Sequence, residues 1–259
     1  MQNKRGQVTI FVIVGIVIIV LGLVVFLFAP QISDIFTGGS KDPNSFLQNC
    51  IEKDLKKAVE KLSMQGGSLA PEHFILYRGN PIEYLCYTEE YYKTCVMQRP
   101  MIKNHVKEEI KNSIKNTADS CLEELKKSYQ AKGYSVQLSE GRRDVELLPG
   151  KILLVFNNTI ILSKEATESQ KYFVVSIDNN IYELLSIAES ILNWEASYGD
   201  AETTLYMNYY HDLKVEKLKQ SDGTTIYILT DRKTGDKFQF ASRSIPWPPG
   251  FAVGQITTG

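Results

Sequence analysis

An α+β fold follows from three features of the sequence. Long amphipathic segments fill the first half, short β-type runs between turn dipeptides fill the second, and an uncharged apolar stretch precedes both. The expected architecture is one N-terminal transmembrane helix, then an ectodomain of about three helices with largely antiparallel β-hairpins and a meander. The 259 residues carry 29 Lys+Arg against 30 Asp+Glu, 43% hydrophobic residues and 23% charged ones. That balance argues against a nucleic-acid binder working through bulk positive charge, and the apolar fraction argues against disorder.

Val8 to Phe28 contains no charged residue, and as a helix it extends about 31 Å at ~1.5 Å per residue, one hydrocarbon core. Lys4 and Arg5 precede the run and Asp34 is the first charge after it. The positive-inside bias therefore places residues 1–7 in the cytoplasm, 8–29 in the bilayer and everything from Pro30 onward outside. A cleavable secretory signal would have a shorter apolar core and small residues at the cut, whereas Ala29-Pro30 follows here. Gly15 and Gly22 share a helix face but lack the four-residue small-residue spacing of a helix-pairing motif.

Lys4-Arg5-Gly6-Gln7-Val8-Thr9, directly before the apolar run, resembles the class III signal of archaeal type IV pilin-like proteins. The resemblance implies cleavage between Gly6 and Gln7, with the apolar helix kept on the mature chain. Phe11 stands where that family usually has Glu, and Pro30 and Gly38-Gly39 interrupt a helix that there continues unbroken. The first half of the chain is also similar to single-pass envelope proteins of small-genome archaea. The likeness lies in the basic-Gly-Gln start, a Cys50-bearing helix ending in Gln65-Gly66-Gly67, and the Tyr84-Leu85-Cys86-Tyr87 strand. It implies an archaeal envelope setting and no activity.

Residues 30–44, with Gly38-Gly39-Ser40 and two prolines, read as a tether. Ser45 and Gln48 have capping-box form, and Phe46, Leu47, Cys50, Ile51, Leu55, Ala58, Val59 and Leu62 recur at helical spacing until Gly66-Gly67. Phe74–Tyr77 and Ile82–Tyr87 flank Arg78-Gly79-Asn80-Pro81, which predicts a hairpin. Pro100 opens a second long helix on Ile102, Val106, Ile110, Ile114, Ala118, Cys121, Leu125 and Tyr129, ending near Gly133. A cysteine-bearing helical half, 45–133, is thus set against a β-rich half, 134–245.

In the second half Tyr134/Val136/Leu138, Val145/Leu147, Ile152–Phe156, Thr159–Leu162 and Tyr172–Ser176 are β-type runs, with Asn157-Asn158 expected as a two-residue hairpin turn. Ile181, Leu184, Leu185, Ala188, Ile191, Leu192 and Glu195 trace a third helix behind the capping candidates Asp178, Asn179 and Asn180. The stretch 200–212 is ambiguous between helix and strand. Asp222-Gly223 and Thr234-Gly235-Asp236 then separate the three runs of a meander, Val215–Leu218, Thr225–Leu229 and Phe238–Ala241. A Pro-rich extended tail, 246–259, closes the chain.

Cys50, Cys86, Cys95 and Cys121 all fall on the side expected to be outside, which fits two disulfides. Four cysteines allow three connectivities. Cys86 with Cys95 would close a local loop, and Cys50 with Cys121 would link the apolar faces of two helices, the pairing favoured here. No Cys pair has two-residue spacing and no His lies at ligand spacing, so neither a metal nor a cofactor is expected. His73 and His105 read as solvated. Tyr206, Tyr209, Tyr210, His211 and Asp212 form the densest polar-aromatic cluster, a candidate surface for stacking on a sugar or peptide.

Glu89-Glu90 and Asp200/Glu202 are the acid pairs a glycosidase would need, with solvated loop acids as the plain alternative. Gly-x-Ser-x-Gly, P-loop and dinucleotide-binding signatures are missing. Asn157-Asn158-Thr159 is a glycosylation sequon at Asn157. The combined expectation is a membrane-anchored extracytoplasmic protein with a structural or interaction role. Its partners would be the bilayer and other envelope proteins, not nucleic acid. The alternatives are a minor pilin-like subunit and a surface hydrolase or solute-binding domain built on Tyr206–Asp212.

Overall fold

Leu47, Ile51, Leu55, Val59 and Leu62 line one face of the first helix, α1 (Pro43–Met64), and place it along the edge of a β-sheet. The computed structural model describes Ile16 and residues 42–246. Apart from Ile16, the expected membrane helix 8–29 lies outside the described residues, as do the processing residues Gly6 and Gln7, most of the tether and all of the tail after Pro246. Among the described residues no helix is long and apolar enough to cross a membrane.

The strands follow in chain order as β1 (Phe74–Tyr77), β2 (Asn80–Tyr87), β3 (Val96–Met97), β4 (Ser135–Leu138), β5 (Arg143–Leu148), β6 (Lys151–Ser163), β7 (Thr167–Asp178), β8 (Leu213–Lys219), β9 (Thr224–Asp231) and β10 (Lys237–Arg243). The remaining helices are α2 (Ile102–Ser113), α3 (Lys115–Ala131), α4 (Ile181–Tyr198) and α5 (Thr204–Tyr209). The class is α+β, with five helices rather than three among the described residues from Pro43 on. The second long helix is broken at Ile114, where φ is −95° and ψ 0°, beside a Ser113 hydroxyl that donates to the Ile110 carbonyl at 2.7 Å. A hydroxyl bonding back onto the helix backbone bends it. Its apolar face nonetheless continues from Ile110 through Ile114 to Ala118, so periodicity does not register the break. The fifth helix, α5, lies in the stretch that was ambiguous.

Two sheets carry the strands. One is antiparallel and local: β6 is flanked on one side by β5 and β4, end to end, and on the other by β7. The other runs β1-β2-β10-β9-β8, with β3 also on β2, and its β2–β10 pair is parallel. Strand β2 from the helical half thus pairs with β10 from the β-rich half. From Pro43 onward the chain forms one compact unit, and a single buried cluster draws on both halves. The boundary expected near residue 133 falls between α3 and β4, inside that unit.

The expected turn at Asn157-Asn158 is corrected. Both residues lie within the continuous strand β6, where two residues face one on β7 between the pairs Phe156–Phe173 and Thr159–Lys171. This is a β-bulge, and Tyr172 opposite it has φ +65°. Asn tolerates turns and bulges alike, which is why the dipeptide reads as a turn. Asn157 is half-buried and Asn158 is buried, its amide donating to the Ser139 carbonyl at 2.8 Å. The sequon therefore sits in a strand, not on a loop.

The expected capping box is also replaced. The helix α1 begins two residues before Ser45, and Gln48 instead pairs with the backbone of Ser176, donating at 2.8 Å and accepting at 2.9 Å. Asn44 accepts from the Val174 amide at 2.8 Å. Two side chains thus satisfy the outer edge of β7 as a further strand would, closing an edge otherwise open to pairing.

Candidate functional site

Tyr206 and Met207 face inward from the short helix α5: the Tyr206 hydroxyl lies 2.7 Å from Ser190 Oγ on α4, and both side chains pack on the core. That leaves Leu205, Tyr209 and Tyr210 outward, with Tyr209 86% exposed. On α4, Ser190, Trp194 and Tyr198 succeed one another at four-residue spacing, the step that stacks side chains on one helix face. Trp194 and Tyr198 are in ring contact at 4.9 Å, and both are exposed. Trp194 and Tyr198 are thus open on α4, and Leu205, Tyr209 and Tyr210 are open on and just after α5, the two helices being tied by the Ser190–Tyr206 hydrogen bond. His211 and Asp212, next in the chain, are also exposed. Of the cluster singled out in the sequence, Tyr206 is a fastening residue and the others are surface.

The underside of α4 is polar at one point. Glu195 is 1% exposed, accepts a hydrogen bond from the buried Tyr227 hydroxyl and another from Ser242 Oγ at 3.0 Å. Burial holds its carboxyl above the ordinary glutamate range, although both hydroxyls pull the other way. Burial and the neighbouring Glu195 likewise push the Tyr227 phenol up. Helix α4 ends at Gly199, φ +79°, against which Pro246 packs so closely that a Cβ there would lie 2.0 Å from the proline ring. Only glycine permits both that φ and that approach.

A second polar cluster joins four segments. Gly66, φ +81°, turns the chain after α1 where a Cβ would meet Glu83 at 2.8 Å. Ser68 two residues on then donates to Glu83 and lies 2.7 Å from His105 Nε2 on α2. Arg99 holds the other Glu83 oxygen through Nε at 3.1 Å and an Nη at 2.8 Å. In a serine nucleophile the carboxylate orients the imidazole. Here it sits on the hydroxyl, and Glu83 and Ser68 are both buried. This order describes a clamp between β2, α2 and the Gln65-Gly66-Gly67 loop. His105, expected to be solvated, is half-buried in it. His73 is exposed, but its ring contacts Tyr84 and Tyr87 at 4.7 and 4.1 Å.

Both disulfides are present. Cys50–Cys121 ties α1 to α3 with Cα atoms 6.0 Å apart, and Cys86–Cys95 ties β2 to the loop before β3 at 5.3 Å. The acid pairs do other work: Glu90 pairs with Lys93, and Asp200 with Lys217 and Lys219. Glu202 accepts from Thr204 N at the start of α5, and Thr204, through its hydroxyl first and its backbone amide second, holds the Glu202 carboxyl below the usual range. No group of three metal-ligating side chains occurs among the described residues.

Glu195 was legible as an acid on an apolar helical stripe, and Glu83 as an acid inside the apolar run Ile82–Leu85, yet neither was taken as a site. Trp194 and Tyr198 were missed because they lie on the flank of that stripe. Their four-residue spacing was the available signal. Comparison of the chain with known protein families, characterised proteins and solved structures finds no match.

Proposed function

We propose that this is a membrane-anchored, extracytoplasmic envelope protein whose disulfide-stapled domain has a structural or interaction role, with the exposed aromatics on α4 and α5 as its contact surface. The observation that carries the reading is their exposure. Large aromatic side chains left open on rigid helices supply contact area at low entropic cost, and Trp and Tyr are the residues most enriched where binding energy concentrates. The uncharged run 8–28 and the basic residues before it support the anchor and its orientation.

The test uses Tyr209→Cys in the full chain. Its thiol should react with a membrane-impermeant maleimide on intact cells, and reaction only after lysis would overturn the outside placement. A photo-crosslinker at Tyr209 should give discrete adducts in intact cells that Trp194→Ala abolishes, while one at Lys57 on α1 gives none. Equal adducts from both positions would overturn the contact surface. The start Lys4-Arg5-Gly6-Gln7 favours a second reading, a minor pilin-like subunit. Intact-mass analysis separates the two: a chain beginning at Gln7 supports pilin-type processing, and one beginning at Met1 removes it. The hydrolase reading at Tyr206–Asp212 loses its motivation, since Tyr206 fastens α5 to α4, Tyr209 to Asp212 are exposed, and the nearby acids Asp200 and Glu202 are engaged elsewhere.

A further inference from the structure

A cleft of about 560 Å³ lies between one face of α1, the end of β7 and the β9–β10 turn, within the size range of small-molecule sites. Its floor is apolar, with Val59 and Ile177 buried. Ser63, 5% exposed, also lines it, and among the described residues its hydroxyl has no partner. Three charged side chains on the cleft, Glu60, Asp178 and Lys237, likewise have no side-chain partner among the described residues. The other two charged residues on the cleft are engaged: Lys56 pairs with Glu52, and Asp236 accepts from Asn179 Nδ2 and Asn180 N, both at 2.9 Å.

The wall carrying Lys237 is built in advance. Asp231 Oδ1 accepts from the Lys233 and Thr234 amides at 2.8 and 3.2 Å, and Thr234 Oγ1 donates to Asp236 at 2.9 Å. The anchoring of Asp236 to Asn179 and Asn180 then fixes the turn against the start of α4. A rigid wall with one free cation therefore stands across an apolar floor from the α1 and β7 residues that bear free carboxylates. Preorganisation of this kind lowers the ordering cost of binding.

We propose that this cleft binds a small zwitterion, a free amino acid or a short peptide. Its ammonium would be held by Glu60 and Asp178, its carboxylate by Lys237, its apolar side chain by Val59 and Ile177, and one polar group by Ser63. Both signs of charge beside an apolar floor match that class. A neutral sugar leaves the charges unused, and a phosphate meets two carboxylates with a single free lysine. The inference is separate from the contact-surface reading, since the two use different residues and either fails without the other.

The experiment is thermal denaturation of the detergent-solubilised full chain with leucine, alanyl-leucine and N-acetyl-leucinamide, which has the same side chain and no charge. Leucine or alanyl-leucine should raise the midpoint saturably, and N-acetyl-leucinamide should not. Lys237→Glu and Glu60→Lys, both at exposed positions, should each weaken the response roughly tenfold or more, the scale of a misplaced charge at a binding site. Ser63→Ala should weaken it less. No saturable shift with either zwitterion overturns the proposal. So does an equal shift with N-acetyl-leucinamide, or a response that survives both charge reversals.

Discussion

Glu83 and Glu195 are both buried carboxylates on either side of the Cys86–Cys95 bridge, and the protein treats them in opposite ways. Glu83 stands three residues before Cys86 and is met by Arg99 through two nitrogens and by Ser68. Among the described residues Glu195 has no cation in contact: its partners are the hydroxyls of Tyr227 and Ser242, and Ser242 Oγ lies 3.6 Å from Cys95 Sγ. A buried charge needs a counter-charge or it neutralises. The first acid satisfies that rule by pairing, and the second by holding its proton more tightly. One locks segments distant in sequence, whereas the other makes stability depend on pH.

Of the changes at the two acids and the bridge between them, removing Glu83 should have the largest effect. Glu83→Ala leaves the Arg99 guanidinium and the Ser68 hydroxyl without their acceptor and should cost roughly 3 kcal/mol in urea denaturation, at the low end for a buried pair because Arg99 is 37% exposed. A loss below about 1 kcal/mol would mean that the pair is in effect a surface one. Opening the bridge between the two acids comes next. Cys86→Ala with Cys95→Ala should cost about 2.5 kcal/mol by loop-closure entropy, against about 4 kcal/mol for Cys50→Ala with Cys121→Ala, whose loop is far longer. A Cys86–Cys95 cost equal to that of the longer loop would show that the bridge also braces the acid networks.

Glu195→Gln should matter least at low pH and gain on the wild type as pH rises. Since burial raises the native carboxyl above its unfolded value, the wild type is most stable while Glu195 is protonated. That contribution is lost as pH rises from the ordinary glutamate value through the raised native one. The Gln variant keeps an acceptor for Tyr227, presents its amide to Ser242 and does not titrate. Its urea midpoint should match or exceed that of the wild type near neutral pH, with the advantage shrinking toward pH 4. An advantage that grows toward acid would reverse the assignment. Tyr209→Ala should be the smallest perturbation, within about 0.5 kcal/mol, because its exposed ring supports no core contact. A larger loss would mean that the exposed aromatics stabilise the fold and are not free for a partner.

The same contrast marks how far the sequence could be read. The residues of α4 that face the core are those its 3.6-residue period picks out, Glu195 among them. The meander β8–β9–β10 is likewise legible, since Asp222-Gly223 and Thr234-Gly235-Asp236 punctuate consecutive strands. The role of Glu83 was not legible, because Ser68, Arg99 and His105 come from three other segments, and side chains from separate segments meet only after folding. The exposed aromatics were half seen: Tyr209 and Tyr210 stood out as a local cluster, while Trp194 and Tyr198 sit on α4, which meets α5 through Ser190 and Tyr206.

Local patterning was enough to specify the α+β class, the apolar stripes of α1 and α4, the first hairpin and the meander, because each depends on neighbours within one turn or one strand. Four other features arise only when the elements pack: the parallel β2–β10 pair, the bulge that turns an Asn-Asn dipeptide into strand, the side chains of α1 that close the edge of β7, and the cleft beside the β9–β10 turn. Each brings together groups far apart along the chain. Their encounter depends on how whole elements pack, which no local propensity encodes.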